Sequence, residues 1–199
     1  MNFLAHFHFS YGDDDLLHGQ FIADEVKGKA HEQYPQRIQY GILLHRYIDH
    51  FTDTHELCKA LRAKLRLELG LLTPIAIDVF FDHVLASNFE QYTGLRLESF
   101  VEDVYEKLSA RRESFSPKMK FLLDKMKQNN WLVMYKSISG TSTLLLQMSA
   151  RLSYGKPLQQ APLILTRHYN ELMETFNLFY PEIKNGTFSK LDTFAHLHP

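Results

Sequence analysis

The run at residues 75–89, IAIDVFFDHVLASNF, constrains this chain more than any other stretch. It is apolar nearly all round, and a helix of that kind is buried on most sides. Thr73-Pro74 in front of it reads as a helix start, a capping hydroxyl followed by proline. From Ile75 to Leu85 the only ionisable groups are Asp78, Asp82 and His83. Asp78 and Asp82 are spaced i, i+4, so both carboxylates point to the same side. A buried carboxylate is costly unless it is paired or bound to a cation. Two that lie close also repel, and one then takes up a proton. A divalent metal relieves both problems. The competing reading is a structural ion pair or a helix-end contact.

A second helix, from about Pro35 to Asp53, repeats the pattern. His45 and Asp49 are i, i+4 and share a face with Gly41, where a neighbouring helix or a substrate can approach closely. Arg46 is adjacent and suits a phosphate oxyanion. Asp53 lies a turn further on and reads equally as a turn residue after Thr52. A preceding helix over 14–28 adds Asp24, five residues after Gly19. His6 and His8 sit in Met1–Phe9, the best β candidate of the chain, where an extended backbone directs at most one of them inward. Each candidate has a plainer alternative. For His45 with Asp49 it is a helix-face hydrogen bond. For Asp24, next to Glu25, it is a solvated face, and for His6 and His8 it is a packed core histidine. Mixed carboxylate and imidazole ligands suit Mn²⁺, Fe²⁺ or Mg²⁺. A metal so held activates water and neutralises charge on a phosphoryl oxygen.

The rest of the chain predicts further helices. Residues 55–69 carry a basic face of Lys59, Arg62 and Arg66. Residues 98–112 are amphipathic, Ser116-Pro117 opens another helix, Trp131–Tyr135 is a short apolar segment, and one more helix follows Gly140. The last long helix runs to Tyr180, with Pro181 ending it and 182–199 as a weakly patterned, mobile tail. Few glycines (9) and prolines placed at helix starts argue against an all-β fold. The expectation is an all-α, single-domain bundle of seven to eight helices spanning 1–199. A net charge of −1 gives no overall pull toward nucleic acid or membrane. One cysteine, Cys58, excludes a disulfide framework and fits a reducing, cytoplasmic compartment. The N-terminus lacks the pattern of a signal peptide, and no stretch approaches the length of a membrane span. His168 reads as a satisfied interior histidine, and His196 and His198 as tail residues without a role.

Four blocks, MNFLAHFH, GQFIAD (19–24), GILLHRYIDHFTD (41–53) and DVFFDHVLASNFEQY (78–92), resemble in order and spacing the bacterial acyl-carrier-protein phosphodiesterases, also called holo-acyl-carrier-protein hydrolases. Weaker matches in Trp131–Tyr135, Met148–Arg151 and Phe176–Pro181 extend the resemblance over essentially the whole chain. Gln20 stands where asparagine is common and Phe89 where tryptophan is common.

The resemblance implies an all-helical enzyme like a divergent HD-domain phosphohydrolase. It implies hydrolysis of the phosphodiester that joins 4′-phosphopantetheine to a serine of acyl carrier protein, with Mn²⁺ as the usual metal and Mg²⁺ or Fe²⁺ as alternatives. Carried onto this sequence, the metal candidates are Asp24, His45, Asp49, Asp78, Asp82 and His83, with His6 a further one. Asp82, His83 and Arg46 are the candidates for catalysis itself. An acidic carrier protein as partner calls for a basic patch. Lys59, Arg62 and Arg66, the pair Arg111 and Arg112, or the lysines at 118, 120, 125 and 127 are the places for it. Two alternatives stay open: a phosphohydrolase of nucleotides or another small phosphoester, and a non-catalytic helical module that binds the carrier.

Overall fold

The computed structural model describes residues 1–152 and 154–197, with side chains to Phe194. Along the chain it contains α1 (Phe3–His8), α2 (Asp14–Ile22), α3 (Gln36–Thr54), α4 (Glu56–Leu69), α5 (Thr73–Ser87) and α6 (Phe89–Thr93). These are followed by α7 (Leu97–Ala110), α8 (Pro117–Gln128), α9 (Trp131–Met134), α10 (Ile138–Arg151), α11 (Ala161–Arg167) and α12 (Tyr169–Leu197). Among the described residues there is no strand, and the all-α expectation holds. The helices of nine residues or more are α2, α3, α4, α5, α7, α8, α10 and α12, which matches the seven to eight expected. The short apolar segment at Trp131–Tyr135 is helical as α9, whereas the other short helices and the 3-10 turns were not foreseen.

The middle of the bundle is α5. Ala76, Ile77, Val79, Phe80, Phe81, Val84 and Leu85 on it are all fully buried, packed by α1, α4, α10 and α12. The sequence reading of membrane segments needs one correction. Glu56–Ser87, comprising α4, a 3-10 turn and α5, is long and apolar enough to cross a membrane by length and composition. Within it, 72% of the most apolar window is buried inside the protein, the pattern of a core helix.

Helix starts written in local sequence are found where expected. Ser116 caps α8 by accepting a hydrogen bond from Met119 N at 3.2 Å, with Pro117 at the first position. Thr73 departs from expectation. The 3-10 turn Gly70–Leu72 runs straight into α5, so the Thr73 hydroxyl donates back to Gly70 O instead of capping.

Two larger differences have tertiary causes. Met1–Phe9 is not a strand: α1 forms there because a buried carboxylate from α5 accepts its first amides, as described below. Pro181 does not end the last helix, because α12 continues through it to Leu197. A proline inside a helix forfeits a backbone hydrogen bond at a cost of about 3 kcal/mol. Burial of Ile183, Thr187 and Phe194 beyond it offsets that cost. The segment expected as a mobile tail is therefore helical from Glu182 to Leu197 and docked on α3, where the Phe194 ring stacks on Tyr40 at 4.8 Å. The side chains of His196 and His198 lie outside the described residues.

Candidate metal centre

The centre begins with two glycines. Gly19 on α2 and Gly41 on α3 lie where the two helices cross. A Cβ on Gly19 would sit 2.7 Å from Gly41 Cα, and one on Gly41 would sit 2.8 Å from Gly19 Cα. Neither position has room for a side chain, so the backbones meet directly. The close approach has a chemical consequence one residue on. The Gln20 backbone carbonyl reaches α3 and accepts a hydrogen bond from His45 Nδ1 at 3.1 Å. The Gln20 side-chain Oε1 turns the other way and accepts from His6 Nδ1 on α1 at 3.2 Å.

One residue thus fixes both imidazoles. With Nδ1–H donated to an oxygen, each ring turns its Nε2 toward the carboxylates, the orientation that supporting partners impose on metal-binding histidines. His6 Nε2 lies 3.1 Å from Asp49 Oδ1, and His45 Nε2 lies 3.3 Å from Asp49 Oδ2 and 3.6 Å from Asp24 Oδ1. Ligand atoms of His6, His45 and Asp49 fall within 4.8 Å of one another. The rings are buried, whereas the side chains of Asp49 and Asp24 are 47% and 73% exposed. Imidazoles form the back wall and carboxylates face the solvent. These groups line an open cleft of about 480 Å³, walled by Met1, Thr52, Pro74, Ile75 and Met148.

The electrostatics show how this set behaves without a cation. Burial alone would lower the pKa of His45, but hydrogen bonds to Asp24 and Asp49 and their charges raise it to about 9. Burial, together with charged His45 stacked beside it, lowers His6 to about 4. Asp49 is pushed up by burial, yet its bonds to both histidines hold it well below the usual carboxylate range. The His45 hydrogen bond lowers Asp24 as well. The two rings therefore carry one positive charge between them, facing two carboxylates.

The other expected residues divide between the cleft edge and the interior. Asp78 lines the cleft, where its Oδ1 accepts from the Met1 α-ammonium at 2.7 Å. Asp82 does not line it. Its carboxylate is fully buried beneath the start of α1 and accepts from Asn2 N at 3.0 Å and Leu4 N at 2.8 Å, with Ala5 N at 3.4 Å. A carboxylate on the orphan amides of a helix start is favourable, although burial still raises Asp82 to about 7.

His83 points away from the cleft. Its Nδ1 donates to Tyr135 O at 2.7 Å, and its Nε2 is buried without a partner. Arg46 donates to Gly28 O and Val26 O at 2.9 and 2.6 Å, which ties down the loop after Asp24. Asp53 is at the cleft rim, paired with Arg62 at 2.9 Å. His8 faces the opposite side of α1 and bonds Tyr180 OH at 2.9 Å. His168 bridges Glu68 and Glu171, satisfied as expected. Gln20 was passed over as a working residue. Its signal was present, in the same GQFIAD block as Asp24 and next to Gly19.

The comparisons with known proteins agree with one another. Residues 1–183 match the family model described as acyl carrier protein phosphodiesterase. A protein of that name from Salmonella paratyphi A is 32% identical over 184 residues, which is 92% of this chain and 95% of the relative. Proteins of the same name from Salmonella dublin and Salmonella newport are 31% identical over the same shares. No solved structure matches the chain, so the likeness to HD-domain phosphohydrolases stays an expectation.

Proposed function

Because this chain belongs to the acyl carrier protein phosphodiesterase family, we propose that it is a metal-dependent hydrolase that removes 4′-phosphopantetheine from holo-acyl carrier protein. The observation that carries the metal dependence is the convergence of His6, His45 and Asp49, with both Nδ1 atoms already held by Gln20. The donor set fits a divalent ion. Two buried imidazoles that carry one positive charge between them and face two carboxylates stay unfavourable, and a divalent cation satisfies all of them. His6, His45 and Asp49 would hold it, with Asp24 at the solvent side. Mn²⁺ is the first choice for such ligands, ahead of Mg²⁺ or Fe²⁺. When bound, it supplies positive charge for a phosphoryl oxygen and lowers the pKa of water.

The chain's own residues do the remaining work. Gln20 orients the two rings. Asp24, the most exposed carboxylate of the group, accepts the proton of the attacking water. Water oxygen bonds to phosphorus, the bond from phosphorus to the carrier serine oxygen breaks, and that oxygen takes up a proton. The products are apo-carrier and free phosphopantetheine. Asp82 has a different role in this reading. It holds α1, and therefore His6, in place.

An open cleft supports a substrate presented by a protein. The basic clusters support it less. Lys59 pairs with Glu56, Arg62 with Asp53, Arg111 with Asp15, and Arg112 with Asp124. Lys118 pairs with Glu25 and Lys120 with Glu113, whereas Arg66, Lys125 and Lys127 make no ion pair among the described residues and are the cations of the expected patches left for an acidic partner. This neutralisation favours, as second reading, a small phosphoester substrate. The buried, free Cys58 supports a reducing, cytoplasmic setting.

Mass spectrometry of holo-carrier incubated with the protein tests the proposal. With Mn²⁺ the carrier loses the mass of phosphopantetheine, and with a chelator it does not. Holo-carrier left intact by stoichiometric protein and Mn²⁺, alongside turnover of a small phosphoester, would establish the second reading instead.

A further inference from the structure

His6 and His8 lie two residues apart on α1 and face opposite sides of it. His6 belongs to the metal cleft. His8 opens onto a second cleft of about 600 Å³ that shares none of the first one's lining residues. That volume lies within the range of small-molecule sites. Its floor is aromatic. The Tyr11 and Phe188 rings stack at 4.3 Å, and Phe100 packs edge-on to His8 and tilted against Phe89 at 5.0 Å. Phe188 is 44% exposed and Leu95, at the rim, 50%.

Tyr11 holds a left-handed backbone, with φ 51°, in front of Gly12 at φ 79°. Such a conformation costs a bulky residue about 1–3 kcal/mol. It is maintained by the stack on Phe188 and by a 2.6 Å hydrogen bond between Tyr11 OH and Thr187 Oγ1. These two contacts keep the ring over the cleft.

The charges at the rim are unequal. Arg96 and Lys184 line the cleft, and neither makes an ion pair among the described residues. The one acid in the lining, Asp103, is paired with Lys107 at 2.9 Å. The rings of the floor are already stacked on one another, so they offer apolar area rather than an open slot for a flat molecule. A flexible alkyl chain uses such a surface.

We propose that this cleft binds a small amphipathic anion, an alkyl chain laid on the aromatic floor with one negatively charged head group held by Arg96 and Lys184. The proposal does not depend on the chemistry assigned to the metal cleft, since the two share α1 but no lining residue.

Dodecanoate, kept below its critical micelle concentration, is the probe, and its binding is followed by isothermal titration without added metal. The expected result is saturable one-to-one binding. The double substitution Arg96→Glu with Lys184→Glu weakens it at least tenfold, and Ser99→Trp, which places an indole in the cleft, removes it. Dodecyltrimethylammonium does not bind. Asp49→Asn, which disables the other cleft, leaves dodecanoate affinity unchanged. Arg96 and Ser99 are exposed and Lys184 is half-buried, and an unchanged Tm shows that the variants fold. The proposal is overturned if dodecanoate shows no saturable binding. It is equally overturned if the double charge reversal binds as tightly as wild type, or if the alkylammonium binds as well as the carboxylate.

Discussion

The His6 and His45 rings stack with centroids 3.9 Å apart and 18° between their planes, although one comes from α1 and the other from α3. Two imidazoles so placed cannot both be protonated, and His45 takes the proton while His6 stays neutral. Their Nε2 atoms converge on Asp49. One positive charge there faces two carboxylates, and a divalent ion in the proposed site would balance both.

Asp49→Asn removes the carboxylate that bridges both rings. Mn²⁺ affinity, measured by isothermal titration, falls by at least about a hundredfold, beyond what loss of a supporting partner costs. Hydrolysis of holo-carrier falls with it. The side chain is half exposed, so Tm changes little. Wild-type Mn²⁺ affinity in this variant would remove Asp49 from the ligand set.

Gln20→Leu keeps a buried side chain of similar size and takes away the acceptor for His6 Nδ1–H. Its backbone carbonyl still holds His45. Mn²⁺ affinity drops by about 10–100-fold, the usual effect of losing a partner that orients a ligand. The loss is smaller than for Asp49→Asn. Equal affinity in Gln20→Leu and wild type would show that His6 needs no positioning.

Asp82→Ala leaves the first amides of α1 unpaired in the interior. Each buried donor without a partner costs about 1–3 kcal/mol, so denaturant unfolding shows a loss of about 3 kcal/mol or more. Metal affinity of the fraction still folded falls less than in Asp49→Asn, because Asp82 acts on the cleft only through the position it gives α1 and His6. A variant of normal stability that has lost Mn²⁺ binding would give Asp82 the ligand role instead.

His18 predicts a pH dependence of stability. Burial, then nearby Arg111, lowers its pKa to about 4, and its Nδ1 is buried without a partner. Between its unfolded value near 6.5 and about 4, the unfolded chain binds a proton that the native state refuses. Stability is therefore lost as pH falls through that window, with a slope of up to about 1.4 kcal/mol per pH unit from this group. His18→Phe keeps the edge-on contact with Phe115 and lessens the slope between pH 6.5 and 4, leaving the part due to His6 and His8, which burial lowers to about 4 as well. Parallel profiles for the two proteins would contradict the assignment.

What sequence alone conveyed was what sits in one helix. The apolarity of α5, the Ser116-Pro117 start and the His45 and Asp49 pair are all read from neighbours within a turn or two. What it could not convey depends on distant partners. Helix α1 owes its start to Asp82, some 78 residues away from Leu4, and α12 passes Pro181 because Ile183 and Phe194 are buried beyond it. The same limit applied to the site. The i, i+4 spacing of Asp78 and Asp82 correctly placed both carboxylates on one side of α5, but that side meets the start of α1. His6 joins His45 only because the Gly19 and Gly41 crossing brings Gln20 between them.

Anomalous diffraction from crystals soaked in Mn²⁺ tests the location of the centre most directly. The expected result is a peak bounded by His6 Nε2, His45 Nε2 and the Asp49 carboxylate, with Asp24 beside it, and its disappearance in Asp49→Asn crystals. A peak beside Asp82 and His83, or a fully soaked crystal with none in this cleft, would contradict it.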